Sequence, residues 1–393
     1  MNKKQGLAVY SLVALGFVLG ACEYVTVAIL PEIAVGLDAS MAAAGRLVGV
    51  FAAGYAIGTP IVTAATGRIP RLRLLQMLLA LFLLANTLSM LAPSITVLAV
   101  SRAFAAVLVG TLTAVALLFV KDAVAPEYTP RAVSMVYAGM SLATVVGNPL
   151  NKSLCSIFGW RAAFAVILAA GALLLPILSR VLPKETSVTE KTGFLCQFTV
   201  LRDRRYSLCV LMTVFCYAAT YVVYTYLTPI LTDVLGVSEG MVSPLLLAVG
   251  LCCMSSNLLA GWIGGHGGIK RTPLVLVLQA ALFAAMPSLL SESGAGLVST
   301  FGMCVTMYLL STPVQVYALA LAEQEHPYAL NLCASTLSVA GNIGIAAGSF
   351  ASSILQEAIG YRMLGYPAAG VALLSLCCNL LLLRAIKQRP VKA

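Results

Sequence analysis

The sequence predicts an all-α polytopic membrane protein whose twelve transmembrane helices form two pseudo-symmetric six-helix bundles. Hydrophobic residues make up 60% of the 393 residues and charged residues only 10%, whereas soluble domains carry roughly 25% charged residues. The hydrophobic residues are gathered into twelve segments, and sequence patterns recur about 200 residues apart, which is about half the chain. This composition and this repeat favour a helical bundle in lipid over a water-soluble core.

The twelve segments define the elements in order. Most contain the ~17–25 apolar residues that a helix needs to cross a hydrocarbon core of ~30 Å. They cover approximately residues 7–30, 45–66, 74–92, 95–120, 132–155, 161–182, 206–230, 241–264, 273–290, 297–321, 330–355 and 364–384. Because only the connection at 183–205 is long, we expect an N-terminal bundle at 1–182, a cytoplasmic linker at 183–205 and a C-terminal bundle with a short tail at 206–393.

Lysine and arginine residues are distributed unequally between the two sides of this predicted bundle. If the N-terminus, the loops after even-numbered spans and the C-terminus share one side, that side carries 19 basic residues. The other side carries four, and Arg102 alone lies inside a span. Because short loops rich in basic residues stay in the cytoplasm, we expect both termini to be cytoplasmic.

The two halves of the chain repeat each other. A proline ends spans 1 and 7, a glycine-containing basic loop follows spans 2 and 8, and two further motifs recur in the same order. The matched positions are Pro31 with Pro229, Gly67–Arg71 with Gly264–Arg271, Gly147-Asn148 with Gly341-Asn342, and Gly159-Trp160-Arg161 with Gly360-Tyr361-Arg362. A duplicated six-helix unit is the plan of transporters whose parallel halves surround a binding site near the membrane midplane.

Glu23 is an acid within the otherwise apolar first span. A charged side chain near the bilayer centre costs roughly 2.5–3.5 kcal/mol, so such a residue faces protein or water and usually marks a transport pathway. Glu23 and Arg102 each lie seven residues from the outer ends of spans 1 and 4, a depth of ~10 Å at ~1.5 Å per residue. Asn148 and Pro149 lie at a similar depth in span 5, so an acid, a base and a helix break are expected in one layer.

Four groups of residues carry a resemblance to a known family. They are Gly67-Arg68-Ile69-Pro70-Arg71-Leu72-Arg73 after span 2; Ser101-Arg102-Ala103-Phe104 with Gly110 in span 4; Gly139 through Gly147-Asn148-Pro149 in span 5; and Cys22-Glu23-Tyr24-Val25 with Leu30-Pro31-Glu32-Ile33-Ala34 in span 1. The chain resembles the drug/proton antiporter branch of the major facilitator superfamily, specifically the arabinose-efflux-permease-like group. The resemblance covers nearly the whole chain and implies a secondary transporter of the bacterial inner membrane.

The resemblance also implies roles for individual residues. It implies proton coupling by Arg102 and conformational roles for Gly67, Arg68 and Arg71 in the loop and for Gly147 and Pro149 in span 5. The chain departs from the family pattern at three places. The loop after Gly67 lacks the usual aspartate, the stretch after Pro149 carries Asn151, Lys152 and Cys155 in place of glycines, and Val109 replaces a histidine common in related sugar exporters.

We interpret Glu23 and Arg102 as the proton-coupling residues. Burial raises a carboxyl pKa and a nearby arginine lowers it, so helix movement could load and release a proton. The alternative is a static ion pair between the two side chains. A third charge, Lys152, lies nearer the outer interface, where we expect its side chain to snorkel toward water.

Uncharged polar and aromatic residues are the candidate substrate ligands. In span 7, Tyr217, Tyr221 and Tyr224 follow an i, i+4, i+7 spacing and share one face. Further candidates in other spans are Tyr55, Tyr137, Asn148, Asn257, Gln315 and Asn342. Such a lining would stack on a neutral or weakly cationic molecule and hydrogen-bond to it. Alternatively, the tyrosines pack in the core or at the interface, and the asparagines bond between helices.

These patterns predict proton-coupled efflux of a drug-like compound, sugar or nucleoside by a monomer embedded in the bilayer. Uptake by proton symport and a non-transporting receptor or scaffold are the alternatives. The spacing of cysteines and histidines gives no metal site and no phosphate-binding GxxxxGK[ST] motif occurs, so we expect no metal, no cofactor and no enzyme activity. The basic loops lack the aromatic interleaving of a nucleic-acid interface.

Overall fold

The computed structural model describes residues 3–66, 69–125, 129–183, 198–266, 268–326 and 330–389. Within these ranges all regular structure is helical. Gly67, Arg68 and most of the predicted linker lie outside the described residues. The chain forms two compact units, one comprising residues 1–190 with 240–250 and the other 191–239 with 251–393. We refer to them as unit 1 and unit 2.

Unit 1 begins with eight helices. Their bounds are α1 Lys3–Ala28, α2 Leu30–Gly36, α3 Met41–Thr66, α4 Arg71–Met90, α5 Ile95–Ala123, α6 Thr129–Leu142, α7 Asn148–Phe158 and α8 Arg161–Val181. Pro31 lies in the first turn of α2, a position where its missing N–H costs no helical hydrogen bond. The predicted first span is therefore α1 followed by a short second helix.

The fifth predicted span is interrupted by a π-helical segment at Ala143–Gly147, between α6 and α7. Pro149 follows two residues later in the first turn of α7. A proline removes one main-chain donor and its ring crowds the carbonyl four residues earlier. The wider π turn accommodates this, and such turns are frequent at functional sites. The helix break predicted at Asn148 and Pro149 therefore takes the form of a change in helical pitch.

Unit 2 contains the remaining helices, apart from the first part of α10, which groups with unit 1. Their bounds are α9 Arg204–Tyr224, α10 Glu239–Gly265, α11 Thr272–Leu289, α12 Ser293–Thr306, α13 Ser311–Glu325, α14 Leu330–Ile359 and α15 Gly365–Gln388. A short turn at Leu227–Pro229 and a π-helical segment at Ile230–Val234 follow α9. In this unit α9 packs against α14 and α15.

Eleven helices in the described part of the chain are long and apolar enough to cross a membrane, with residues 293–325 forming one of them. The interrupted fifth span, α6 to α7, accounts for the other predicted segment. The predicted all-α fold with twelve spans is thus confirmed.

The internal repeat is visible in the local geometry that starts the last span of each half. Gly159 and Gly360 have φ angles of 80° and 74° with ψ angles of 166° and 165°, a region that side chains disfavour. Shortly after each glycine, an arginine reaches the end of the third span of its own half. Arg161 donates to the Ala92 carbonyl at 3.1 Å, and Arg362 donates to the Pro287 carbonyl at 2.9 Å.

Candidate functional site

Arg102 is completely buried in unit 1 and is held by the main chain of α1. Its Nη2 donates to the Cys22 carbonyl at 2.5 Å and its Nη1 donates to the Cys22 Sγ at 3.2 Å. The guanidinium lies over the Phe51 ring at 4.3 Å from its centroid, with the Phe164 centroid at 5.7 Å. Aromatic faces attract a cation in a desolvated site. Within the described residues the Arg102 Nε has no hydrogen-bond acceptor.

Cys22 connects Arg102 to a further polar side chain that sequence reasoning missed. The Cys22 thiol donates to Asn86 Oδ1 at 3.6 Å, and Asn86 Nδ2 donates to the Phe82 carbonyl within α4 at 2.8 Å. Asn86 is fully buried. An asparagine inside the apolar third span was the sequence signal, because a polar side chain in a membrane helix needs a partner there.

Glu23 is half-buried, immediately after Cys22. Across the described residues its carboxyl group forms no hydrogen bond and no ion pair, so the static Glu23–Arg102 pair considered as an alternative is absent. Electrostatic interactions nevertheless couple Glu23 to Arg102 and to Tyr55. Tyr137 lies near Tyr55 and is 47% exposed. Two predicted substrate ligands thus accompany the predicted proton-coupling pair.

The predicted layer of acid, base and helix break forms within unit 1. Gly147 packs against Ala21, with 3.6 Å between the Ala21 Cβ and the position a Gly147 Cβ would take. The neighbouring Asn148 is 2% exposed, and its Oδ1 lacks a hydrogen-bond donor among the described residues. The π segment is therefore level with the part of α1 that carries Cys22 and Glu23.

The prediction that Lys152 snorkels toward water is wrong. Its side chain is 7% exposed, and its Nζ forms an ion pair with Glu32 Oε1 at the start of α2. A buried ammonium requires a partner, and the break between α1 and α2 brings Glu32 into reach. In the sequence Glu32 belongs to the Leu-Pro-Glu-Ile-Ala motif, and no spacing relates it to Lys152, so sequence reasoning missed this pair.

Arg71, predicted to act in the loop motif, forms an ion pair with Asp122 near the end of α5. The side chains of Arg71 and Asp122 are 13% and 19% exposed. The loop lacks the aspartate of the family pattern, and Asp122 supplies a carboxylate from a different helix. The pair joins the start of α4 to the end of α5.

Unit 2 contains a cavity of about 90 Å³ with no charged residue in its lining. Tyr217 and Gln315, both predicted substrate ligands, lie on opposite helices α9 and α13. The remaining lining residues are Thr213, Cys216, Leu310, Ser311, Val314, Leu337 and Ser338. The cavity has room for a small ring or a polar group, with hydroxyl and amide groups beside aliphatic ones.

The other predicted ligands of unit 2 lie outside this lining. Tyr221 and Tyr224 are buried, and their rings pack against each other at 5.3 Å between centroids. Tyr221 and Tyr224 therefore lie in the core. Of the three tyrosines predicted to share one face, only Tyr217 lines the cavity. Asn257 and Asn342 donate to carbonyls four residues earlier in their own helices, at 3.3 Å and 3.2 Å.

A network of ion pairs joins the ends of α9, α13 and α15 in unit 2. Arg205 Nη2 donates to Asp203 Oδ2 at 2.7 Å and to Glu325 Oε2 at 2.6 Å, and its Nη1 donates to the Arg389 carbonyl at 2.9 Å. His326 Nε2 lies 3.3 Å from Asp203 Oδ2. Burial raises the Asp203 pKa, but the hydrogen bonds from Arg205 and His326 outweigh burial and lower the pKa to about 2.

The fold thus gives His326 neighbours that its sequence spacing did not predict. One ligating atom each of Asp203, Glu325 and His326 lies within 4.8 Å of the others, close enough to hold a metal ion. However, the guanidinium of Arg205 already forms ion pairs with the carboxylates of Asp203 and Glu325. The arrangement fits an ion-pair network between helix ends better than it fits a set of metal ligands.

Comparisons with known proteins agree with this architecture. The sequence model of the Major Facilitator Superfamily matches residues 12–330. The chain is 30% identical over 359 residues to the uncharacterized MFS-type transporter YtbD of Bacillus subtilis strain 168, covering 91% of each chain. It is 29% identical over 319 residues to the uncharacterized MFS-type transporter YfhI of the same organism, covering 80% of each.

Solved structures show the same fold at lower sequence identity. A bacterial homologue of the human lysosomal transporter Spinster matches in two crystal structures, described as inward-facing and unoccupied and as inward-facing and occupied. The TM-scores are 0.78 and 0.80, the identities are 16% and 15%, and each match covers 99% of this chain and 98% of the other.

The membrane-spanning helices and the relatives together define a multi-pass membrane protein that is a secondary transporter of a small molecule and not an enzyme. The chain belongs to the Major Facilitator Superfamily.

Proposed function

We propose that this transporter exports a small neutral or weakly cationic molecule in exchange for protons. The observation that carries the proposal is the half-buried Glu23 carboxyl group, which forms no ion pair or hydrogen bond with any described residue. An acid in an apolar helix without a fixed partner is free to change its protonation state as its surroundings change. A permanently paired acid would lack this freedom.

Arg102 supports the proposal because its charge is fixed in position beside Glu23. The bonds to Cys22 hold the guanidinium on α1 itself. Movement of the Glu23 carboxyl toward Arg102 favours the ionised form, and movement away favours the protonated form. Tyr55 lies near this acid and Tyr137 lies near Tyr55, so a bound molecule in contact with Tyr55 would change the solvation of Glu23.

The uncharged cavity in unit 2 supports the choice of substrate class. Tyr217 offers an aromatic face and Gln315 offers an amide, a combination suited to an amphipathic compound or the ring of a sugar or nucleoside. A strongly charged substrate would find no counter-ion in this lining. We further propose that the protein lies in the bacterial inner membrane with both termini in the cytoplasm and works as a monomer.

Counterflow in proteoliposomes tests the proposal. The purified protein is reconstituted and assayed with ethidium, chloramphenicol, arabinose and inosine, with and without a pH gradient. We expect one of these classes to show counterflow and to move against its own gradient when protons flow the other way. Transport that is indifferent to the pH gradient, or driven in the same direction as protons, would refute antiport.

A further inference from the structure

The buried face of α7 is polar. The four buried residues of this helix are Asn148, Asn151, Lys152 and Cys155, which follow the i, i+3, i+4, i+7 spacing of one helical face. The opposite face carries exposed apolar side chains, including Ile157 at 71%. A membrane helix that turns its polar side inward must face protein groups or water there.

The protein itself does not satisfy this polar face. Asn148 and Asn151 are each 2% exposed, and Asn148 Oδ1 and Asn151 Nδ2 find no hydrogen-bond partner among the described residues. The buried Glu32 Oε2 also has no partner there, although its Oε1 binds Lys152. Two hydrogen-bond acceptors and one donor along this face therefore have no partner among the described residues. Buried polar atoms are nearly always hydrogen-bonded, to ordered water when no protein group is available.

The register of α1 and α7 gives this face two defined ends. At one end Gly147 packs against Ala21, two residues before Glu23. At the other end Lys152 binds Glu32, beyond the break between α1 and α2. The unmet amide groups of Asn148 and Asn151 lie between these two contacts. The polar face therefore begins level with the proposed proton-coupling acid and leads to the Glu32–Lys152 pair.

We infer that a file of water molecules lies along the buried face of α7 and carries protons between Glu23 and the end of unit 1 at Glu32. A proton released by the Glu23 carboxyl enters the file at its Asn148 end, which is level with Glu23, and passes along the file. The Glu32 carboxylate neutralises the Lys152 ammonium, which would otherwise repel the proton electrostatically. The water file follows from the unmet polar atoms alone, whereas its use by protons rests on the function proposed above.

Hydroxyl-radical footprinting of the full chain in proteoliposomes, read by mass spectrometry, tests the water file. Cys155 lies on the polar face, and Cys209 and Cys304 are buried in unit 2 without exposure. Because radicals formed in bound water label adjacent side chains, we expect Cys155 to be labelled at least about fivefold faster than either control. If Cys155 in the unaltered protein is labelled no faster than Cys209 and Cys304, the proposal of a water file is overturned.

The variant N148L/N151L provides the matched comparison, with Ser156→Leu on the exposed face of α7 as its control. We expect N148L/N151L to reduce the labelling rate of Cys155 to that of Cys209 and Cys304. Ser156→Leu should leave the labelling rate of Cys155 unchanged. An orphaned amide in a dry site is destabilising, so leucine there would raise the melting temperature. A higher melting temperature with unchanged Cys155 labelling therefore also overturns the water file.

Transport measurements test the use of the file by protons. With the panel compound that shows counterflow, we expect Asn151→Leu alone, which leaves the candidate substrate ligand Asn148 in place, to lower pH-driven transport about tenfold while counterflow, which needs no net proton movement, stays within about twofold. An equal loss in both assays, or a loss in neither, refutes proton passage along this face. If the unaltered protein shows no pH-driven transport, the proposed antiport fails, while the labelling result still decides whether the water file exists.

Discussion

The guanidinium of Arg102 binds the Cys22 carbonyl at 2.5 Å, one residue before Glu23, while within the described residues the Glu23 carboxyl remains without an ion pair. The arginine is therefore attached to the helix that carries the acid, and its charge is a constant part of the environment of that acid. Arg102 can therefore supply a constant positive charge without holding the Glu23 carboxyl in its ionised form, as a direct ion pair would. In the function proposed above, the charge of Arg102 stays fixed while the protonation of Glu23 varies.

Arg102→Lys should impair transport although the charge is retained. The planar guanidinium makes two directed bonds to Cys22 and lies over the Phe51 ring, a geometry that a lysine ammonium does not reproduce. We expect at least a tenfold loss of transport rate. Cys22→Ala is the matched variant, because it removes the weak thiol contacts to Arg102 and Asn86 and leaves the carbonyl acceptor of Arg102 in place; it should keep the rate within about twofold. Equal losses in both variants would contradict this account.

The Glu32–Lys152 pair should show strong coupling in a double-mutant cycle. Removing one partner leaves the other charge buried, at a cost of roughly 3–5 kcal/mol in fully buried pairs and less here because the Glu32 side chain is 26% exposed. We expect Glu32→Gln and Lys152→Met each to lower the melting temperature in detergent. The double variant should recover most of this loss. Additive losses would show that the two side chains do not interact.

Two glycines of the same span should respond differently to alanine. A Cβ at Gly139 would overlap the Val13 carbonyl of α1, whereas a Cβ at Gly147 would make ordinary contact with Ala21 at 3.6 Å. Overpacking of this kind typically costs about 1–3 kcal/mol. Gly139→Ala should therefore lower the melting temperature clearly, and Gly147→Ala should leave it nearly unchanged. A reversal of this order would contradict the close approach of α1 and α6.

The ion-pair network of unit 2 should be sensitive to acid. The Asp203 pKa is lowered from 3.8 to about 2 by its hydrogen bonds with Arg205 and His326, which outweigh the effect of burial. Because the folded pKa lies below the unfolded pKa, this carboxylate stabilises the fold above pH 3.8 and loses its contribution as the pH falls to about 2. Asp203→Asn should lower the melting temperature at pH 7, and the difference from the unaltered protein should vanish near pH 2. A difference independent of pH would refute this role.

Much of the fold was predictable because membrane insertion imposes strong patterns on a sequence. Span length and the internal repeat follow from composition and spacing alone, and the repeat reappears as matched glycine geometry at Gly159 and Gly360. Depth counting also predicted that Arg102 would lie level with α1 near Glu23. These features depend on position along single helices, which a regular rise per residue fixes.

The partners of buried charges were not predictable in the same way. Lys152 reaches Glu32 only because α1 breaks before α2, and Asp122 meets Arg71 only because α4 and α5 pack side by side. Helical spacing placed Tyr217, Tyr221 and Tyr224 on one face, yet Tyr217 alone of the three lines the cavity of unit 2. A residue spacing gives a direction around one helix, and the neighbouring helices decide what lies in that direction.

The pH-driven transport of Glu23→Gln, compared with its counterflow in the same proteoliposomes, tests the central claim most directly. Glutamine keeps the shape of the side chain and removes the titratable proton. We predict that this variant keeps substrate counterflow within about twofold and shows no acceleration by a pH gradient. A Glu23→Gln variant that a pH gradient drives as strongly as it drives the unaltered protein would contradict the assignment of Glu23 as the proton carrier.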